Sequence, residues 1–486
     1  MILVIVFDGL RPDQINDEDT PALCDFIRRG VRFSNHHSIF PTLTRVNVAS
    51  MFTGRYPRLH GVVGNSIYRP ELDVRWEIST GEEPDLVKLE KISGKPIITA
   101  PTLGEKLFNH GHTMTAIGVG SSGNVFLHHP TAANLDGSVV HPDFTLPSSV
   151  QADISERFGK WELASVPNNA RIERAVTILL EYLLPKFKPS VATLWMSDPD
   201  SAQHKTGVGS PISVESIRLA DTQFQRIITQ IANLGIDEDT DIFVVSDHGH
   251  STVREVVDLN GFLTDKGIKE SRISSDILIA ENGGSALIYV PGNDDELMRR
   301  IVEQIMLEEW AGPIFTRGGD DCIPGTIKFS SIGYDHPSSP DMLLSFSWSD
   351  EANKYGLPGM VFSCGEVAQG LGNHGSFSPF EIRNTMLAAG PNFKNGVELD
   401  LPTSNADIYP TILQILGLNS DDAVEGRVLD ESLLGRVSPS SFDVLQETLR
   451  SEVLIKSTLY RQEIQISRLH KHLYFDKGSA YRERES

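Results

Sequence analysis

Long hydrophobic runs are missing from this chain: no stretch reaches the about 18 consecutive apolar residues that a membrane-spanning helix requires. Cysteine is scarce as well. Cys24, Cys322 and Cys364 form an odd set with no CxxC pair, which argues against a disulfide framework and fits reduced thiols. Positive charge is also short, since 43 Lys and Arg stand against 65 Asp and Glu for a formal net charge of -22. A nucleic-acid binder or a protein held on anionic lipid needs a basic surface, so neither class is expected. The apolar start MILVIVF is too short for a signal peptide and has neither the basic flank nor the cleavage site of one. The ending YRERES carries no hydrophobic anchor signal and no prenylation cysteine. These absences lead us to expect a cytoplasmic protein that does not associate with membranes. Internal repeats and low-complexity tracts are absent too.

What is present is the pattern of an α/β enzyme. The 486 residues exceed what one hydrophobic core usually supports, so a large domain with a substantial insertion is expected. Apolar β-type runs end repeatedly in polar residues and are followed by helical periodicity. ILVIVF ends at Asp8, VATLWM runs on to Ser197 and Asp200, and DIFVVS ends at Asp247. In an open parallel sheet the ligand crevice lies beyond the carboxyl ends of the strands, so three strands would deliver these residues to one edge.

Helices are expected after Thr20-Pro21, with Gly30 as the stop, and over 168–184, 214–233 and 406–418, the last capped by Asn405. The segment 252–372 has its own strands, SALIYV and DMLLSFSW, and a helix, DELMRRIVEQIMLEEW. It reads as a smaller inserted α+β subdomain beside a core of 1–251 and 373–436. Residues 437–486 read as a polar, amphipathic C-terminal extension.

The chemistry lies in a few short motifs: Asp8 in IVFDG, Thr44 in PTLTRVN, Asp200 and His204 in DPDSAQH, Asp247 and His248 in VVSDHGH, and His374 in GNHG. Asp200 and His204 are four apart and share a face of a helical turn. A buried strand ending in Asp247 and His248 must solvate its ionisable groups or pair them with a charge. Carboxylate oxygens mixed with imidazole nitrogens suit zinc or a related divalent ion, and two such ions can clamp an in-line displacement at phosphorus. A hydroxyl nucleophile candidate, Thr44, accompanies them.

Further residues complete the pattern: Asn47 three positions after Thr44, then Thr53-Gly54, Pro57, His60-Gly61 and Asn65. The whole series resembles the alkaline phosphatase superfamily and, within it, the nucleotide pyrophosphatase/phosphodiesterase branch, with phosphonoacetate hydrolase as a near relative. The resemblance spans roughly residues 1–70, 190–260 and 360–420. It implies a sandwich of a mostly parallel central sheet between helices.

It also implies two divalent ions, zinc before manganese, one on Asp8, Thr44, Asp247 and His248 and the other on Asp200, His204 and His374. Thr44 would attack phosphorus to give a phosphothreonine that water then hydrolyses. Asn65 would donate its side-chain N–H to a non-bridging phosphoryl oxygen. The expected substrate is a small anionic phosphoester, cleaved at a phosphodiester or pyrophosphate bond; the sequence sets no oligomeric state.

Departures from the pattern leave choices open. Many nucleotide phosphodiesterases of the branch carry an aromatic residue after the threonine, where this chain has Arg45 and then Val46. Arg45 has two readings, a contact to a second phosphate or carboxylate of the substrate, or a solvated residue of the first helical turn. His250 is either a partner behind the metal ligands or an exposed loop residue. A sulfatase would need a Cys or Ser followed at two and four positions by Pro and Arg. The nucleophile region lacks this, and Cys24 has Phe26 at the proline position and the look of a core residue. The serine motif of a cofactor-independent phosphoglycerate mutase is missing. A phosphonoacetate-type phosphonate hydrolase or a phosphomonoesterase are alternatives within the superfamily, and an inactive metal-binding interaction module is the non-enzyme alternative.

Overall fold

A computed structural model describes residues 1–72, 74–292, 294–421, 423–436 and 441–484. Its largest sheet has nine strands in the spatial order 397–399, 31–33, 386–389, 241–245, 2–7, 191–196, 114–118, 138–140 and 145–146. The centre is parallel: Ile2–Phe7 runs between Asp241–Val245 and Val191–Met196 in the same direction as both. Antiparallel pairing is confined to the flanks, where Met386–Ala389 and Thr145–Leu146 join.

The apolar runs form central strands because both of their faces are buried. Ile2, Val4 and Val6 pack into one cluster and Leu3, Ile5 and Phe7 into another. Alternating side chains thus enter opposite cores, which is why such strands are apolar without a gap. Helices Thr44–Thr53 and Ile408–Ile415 cover the first face, and Pro21–Arg29 and Pro211–Asn233 cover the second.

Several helix ends differ from expectation because long-range partners supply the caps. Thr20 makes no side-chain cap to Pro21–Arg29; the Asp221 carboxylate accepts instead from the N–H groups of Ala22 and Leu23, both at 2.9 Å. The helix expected from 214 begins at Pro211, after Ser210 caps Ser213 N. Helical structure expected over 168–184 runs from Asn169 to Phe187 through a π-helical turn at Leu179–Leu183. Ser404, not Asn405, forms the capping box with Asp407, which frees the Asn405 amide for other work. Cys24 is half-buried, not a core residue.

Within 252–372, a five-stranded sheet of 278–282, 285–289, 342–346, 311–316 and 327–328 packs with helix Asp295–Met306 around its own apolar cluster. The expected strand DMLLSFSW divides, because Trp348–Ala352 leaves for a separate four-stranded sheet. The expected start of the C-terminal extension, at 437, lies outside the described residues. What reads as an amphipathic tail is a three-stranded antiparallel sheet of Val444–Ile455, Thr458–Leu469 and His472–Arg484. Its Ile464, Ile466 and Phe475 join the cluster that holds Phe40 and Phe377, while Tyr460 joins the cluster of the inserted sheet.

Candidate metal centre

The register of the central strands does most of the assembly. Phe7 is level with Met196, and Val6 with Val245, so the chain leaves all three strands at one edge. Asp8 and Asp247 follow at once, and Asp200 follows as the first residue of helix Asp200–Thr206. Gly9 makes the close approach possible: its φ is +70°, and a Cβ there would stand 3.0 Å from the Asp200 Cβ.

Two groups of side chains result. Asp8, Asp247 and His248 present ligand atoms that all lie within 4.8 Å of one another, as do Asp200, His204 and His374. In each histidine a backbone carbonyl accepts from Nδ1: Gly249 O at 2.8 Å for His248, Gly372 O at 2.9 Å for His204, and Thr42 O at 2.7 Å for His374. Nδ1 therefore carries the proton, and Nε2 offers its lone pair to the centre, the arrangement typical of metal-ligating histidines.

The carboxylates turn unpartnered oxygens toward one another. Asp8 Oδ1, Asp200 Oδ1 and Asp247 Oδ2 are buried without a hydrogen-bond partner. Asp247 Oδ2 stands 3.0 Å from His248 Nε2, and Asp200 Oδ1 stands 3.2 Å from His204 Nε2 and 3.6 Å from His374 Nε2, close but without hydrogen-bond geometry. Acceptor oxygens and acceptor nitrogens converging in this way fit cations seated among them.

Electrostatics point the same way. Burial, and then the neighbouring Asp247 and Asp200, push the Asp8 carboxyl well above its ordinary range. Burial opposes the charge on Asp200, yet His204 and the other imidazoles more than offset it and hold that carboxyl below the usual range. Burial and the crowd of imidazoles drive His374 far down. Three buried acids at one point need compensating positive charge.

The expected nucleophile adjoins the first group. Thr44 is 3 % exposed, opens helix Thr44–Thr53, and has its Oγ1 3.2 Å from His248 Nε2. The strap before it is tied down, since Thr42 Oγ1 donates to Ser376 O and accepts from Gly375 N while Thr42 O holds His374. Asn47 is a clamp, with Oδ1 accepting from Ile39 N at 2.7 Å and Nδ2 donating to Leu43 O at 3.1 Å. Asn65 Oδ1 accepts from Arg45 N at 3.3 Å, leaving the Nδ2 donor without a protein partner among the described residues.

All seven expected ligands, Asn65 and Arg45 therefore surround one location. Asp8, Thr44, Arg45, Asn65, Asp200, His204 and His374 line a cleft of about 660 Å³, with Asp247 and His248 behind them. Arg45 is half-buried on the cleft wall, not a solvated helix residue.

Some contributors were hidden in the sequence. His250 is fully buried, its Nδ1 3.5 Å from Asp200 Oδ1, which excludes the exposed-loop reading; with Asp200 and His248 it forms a third possible ligand set. The fully buried Arg11 holds His250 O at 3.0 Å. Asn282, from the inserted segment, accepts at Oδ1 from Asn65 N at 2.7 Å and Ser66 N at 2.9 Å and so fixes the Asn65 loop. No local motif marks these positions; only the alternation of DHGH around His250 was a signal.

Comparison with known proteins agrees with this geometry. The rat ectonucleotide pyrophosphatase/phosphodiesterase family member 1 is 26% identical over 431 residues, covering 86% of this chain and 40% of the relative. The bovine bis(5'-adenosyl)-triphosphatase ENPP4 is 24% identical over 426 residues, covering 86% of this chain and 78% of the relative. This chain thus spans about 40% of the length of the first curated relatives it matches. Among solved structures, an inactive variant of murine ectonucleotide pyrophosphatase/phosphodiesterase 5, in complex with AMP, aligns with a TM-score of 0.61 at 18% identity, covering 86% of this chain and 96% of that one. That likeness shows a shared alkaline-phosphatase-like fold. The model of the family described as type I phosphodiesterase / nucleotide pyrophosphatase matches residues 2–347, a span that holds every expected ligand except His374. By that match the chain belongs to the type I phosphodiesterase / nucleotide pyrophosphatase family.

Proposed function

We propose that this protein is a metal-dependent hydrolase that cleaves phosphodiester or pyrophosphate bonds of small anionic substrates through a phosphothreonine intermediate on Thr44. The observation that carries this reading is the convergence of three partnerless carboxylate oxygens and inward-facing histidine Nε2 atoms on the side of Thr44 Oγ1. The names of the relatives, pyrophosphatase/phosphodiesterase and triphosphatase, support the same bond classes.

Asp8, Thr44, Asp247 and His248 would hold one divalent ion and Asp200, His204 and His374 the other. When bound, such ions, zinc first and manganese second, supply Lewis acidity to the phosphoryl oxygens and to the threonine alkoxide. The protein contributes position and polarity. Thr44 Oγ1, its proton passed to solvent, forms the new bond to phosphorus as the bond to the leaving oxygen breaks, and that oxygen takes up a proton from solvent. The N-terminus of helix Thr44–Thr53, where Arg45 N is held by Asn65 Oδ1, favours negative charge there. Asn65 Nδ2 donates to a non-bridging oxygen on which charge builds in the transition state. Water then attacks the phosphothreonine from the opposite side, and Thr44 regains its hydroxyl.

The test is to mix zinc-loaded protein with an aryl phosphodiester, quench, and map the modified peptide by mass spectrometry. Label on the peptide carrying Thr44 is the expected result. Label on another residue, or turnover indifferent to a strong chelator, refutes the proposal.

A further inference from the structure

The cleft beside Thr44 has two features that the phosphoryl chemistry does not use. First, among the described residues its lining contains no Phe, Tyr or Trp, although a flat base is held in protein clefts mainly by aromatic stacking. Second, among the described residues a cation and several polar atoms in or just behind the lining have no hydrogen-bond partner. Arg45 Nε, Ser121 Oγ and both side-chain polar atoms of Asn124 are buried without a hydrogen-bond partner, and Asn124 is 1 % exposed. Buried donors and acceptors are nearly always paired, so such a group of orphans points to an occupant.

The arginine is placed by construction, not by accident. Its Nη2 lies against Gly81, where a Cβ would stand only 2.6 Å away, so this glycine leaves the space that the guanidinium fills. Gly81 O accepts from Gly123 N at 2.8 Å, which joins the arginine's seat to the turn carrying Ser121 and Asn124. Asn124 Nδ2 faces Gly120, itself part of the cleft lining. The neighbouring Thr80 N donates to Asn65 O at 2.9 Å, so one segment holds both Arg45 and the residue that would contact the phosphoryl oxygen. The lining also carries Arg171 and Lys205, while the inserted segment adds Glu281 and Glu366, which repel anions where they stand.

We propose that this wall seats a second anionic group of the substrate, a phosphate or a carboxylate, on the Arg45 guanidinium, with Ser121 as a further polar contact and the buried Asn124 behind Gly120 as its support. The substrate class is then a phosphoester or phosphoanhydride whose substituent is itself charged, not one recognised through a stacked base. This rests on the phosphoryl-transfer reading of the adjoining metal centre. The anion sits one residue from the nucleophile, so it also orients the leaving group.

Calorimetric titration of zinc-loaded Thr44→Ala protein, which cannot turn the probes over, tests the site by binding alone. The probes are methylphosphonate, methylenediphosphonate and phosphonoacetate. The two probes with a second anionic group should bind more tightly than methylphosphonate, and adding Arg45→Ala should weaken them by roughly 10- to 100-fold more than it weakens methylphosphonate. Whichever of the two loses more identifies the second anion as phosphate-like or carboxylate. Gly81→Ala keeps the charge but pushes the guanidinium tip aside, and should give a smaller loss with the same selectivity. Equal weakening of all three probes by both variants overturns the proposal.

Hydrolysis of an aryl phosphodiester by the unaltered enzyme separates the two readings. Selective binding loss without diesterase activity leaves the anion site standing and removes the reaction class. Activity with equal losses removes the anion site alone.

Discussion

Thr44 Oγ1 lies 3.2 Å from His248 Nε2, although 204 positions separate the two residues in the chain. The contact joins the start of one helix to the end of a central strand, and it is kept by supports on both sides. Asn405 Nδ2 donates to Asp247 O at 2.7 Å and to Asn47 Oδ1 at 2.9 Å, so one amide bridges the ligand turn and the nucleophile helix. Thr44, His248 and Asp247 are thus parts of one buried polar network.

Replacing the nucleophile should remove the chemical step and leave the centre assembled. For Thr44→Ala we expect kcat for an aryl phosphodiester to fall on the order of 100-fold or more, because the covalent route is lost. Metal content by elemental analysis should stay the same. Residual turnover within tenfold of the unaltered enzyme would count against a nucleophilic Thr44.

Metal content gives a second test. The protein should bind two divalent ions per chain, and His374→Ala should reduce the second site while Asp8, Asp247 and His248 keep the first. A strong chelator should abolish activity, with zinc or manganese restoring it. One ion in the unaltered protein, or two undiminished in the variant, contradicts the ligand assignment.

Asn282 offers a test of positioning across the cleft. Its Oδ1 is the acceptor for two backbone N–H groups at Asn65 and Ser66, so Asn282→Ala leaves the loop unsupported and those donors unpaired. We expect kcat to fall roughly 10-fold with bound metal unchanged, since a misplaced donor costs transition-state stabilisation. Unchanged kinetics would show that Asn65 holds its position without the inserted segment.

Acid sensitivity should come partly from histidines outside the centre. Burial pushes His36, His60 and His128 down to about 3 from an ordinary 6.5. The unfolded chain binds protons on these residues that the folded chain refuses, so stability is full above about pH 6.5 and is lost as pH falls towards 3. His128→Gln should flatten the decline in urea midpoint between pH 7 and 5, because one such proton is removed from the balance. Parallel slopes for variant and parent would exclude His128 as a source.

Local pattern made much of this protein legible. The central strands announced themselves by unbroken apolar runs, because a strand buried on both faces tolerates nothing else. Their abrupt endings at Asp8 and Asp247 marked the catalytic edge for the same reason: an ionisable residue directly after such a run needs a partner. Spacing alone paired Asp200 with His204, since both lie on one helical turn.

Other features belong only to the folded chain, because they depend on contacts between segments far apart in sequence. The Asp221 cap on the helix at Pro21, the Asn282 clamp and the closure of the second ligand group by His374 each join distant parts, and no local periodicity encodes such meetings. The tail's three strands looked merely amphipathic until their apolar faces met the seam between the core and the inserted sheet. Arg45 shows the division most clearly. Its identity beside Thr44 could be read from the chain, but its half-buried place on the cleft wall against Gly81 could not. Sequence determined which chemical groups are available; tertiary packing decided which of them are stripped of water and turned toward the same few cubic ångströms.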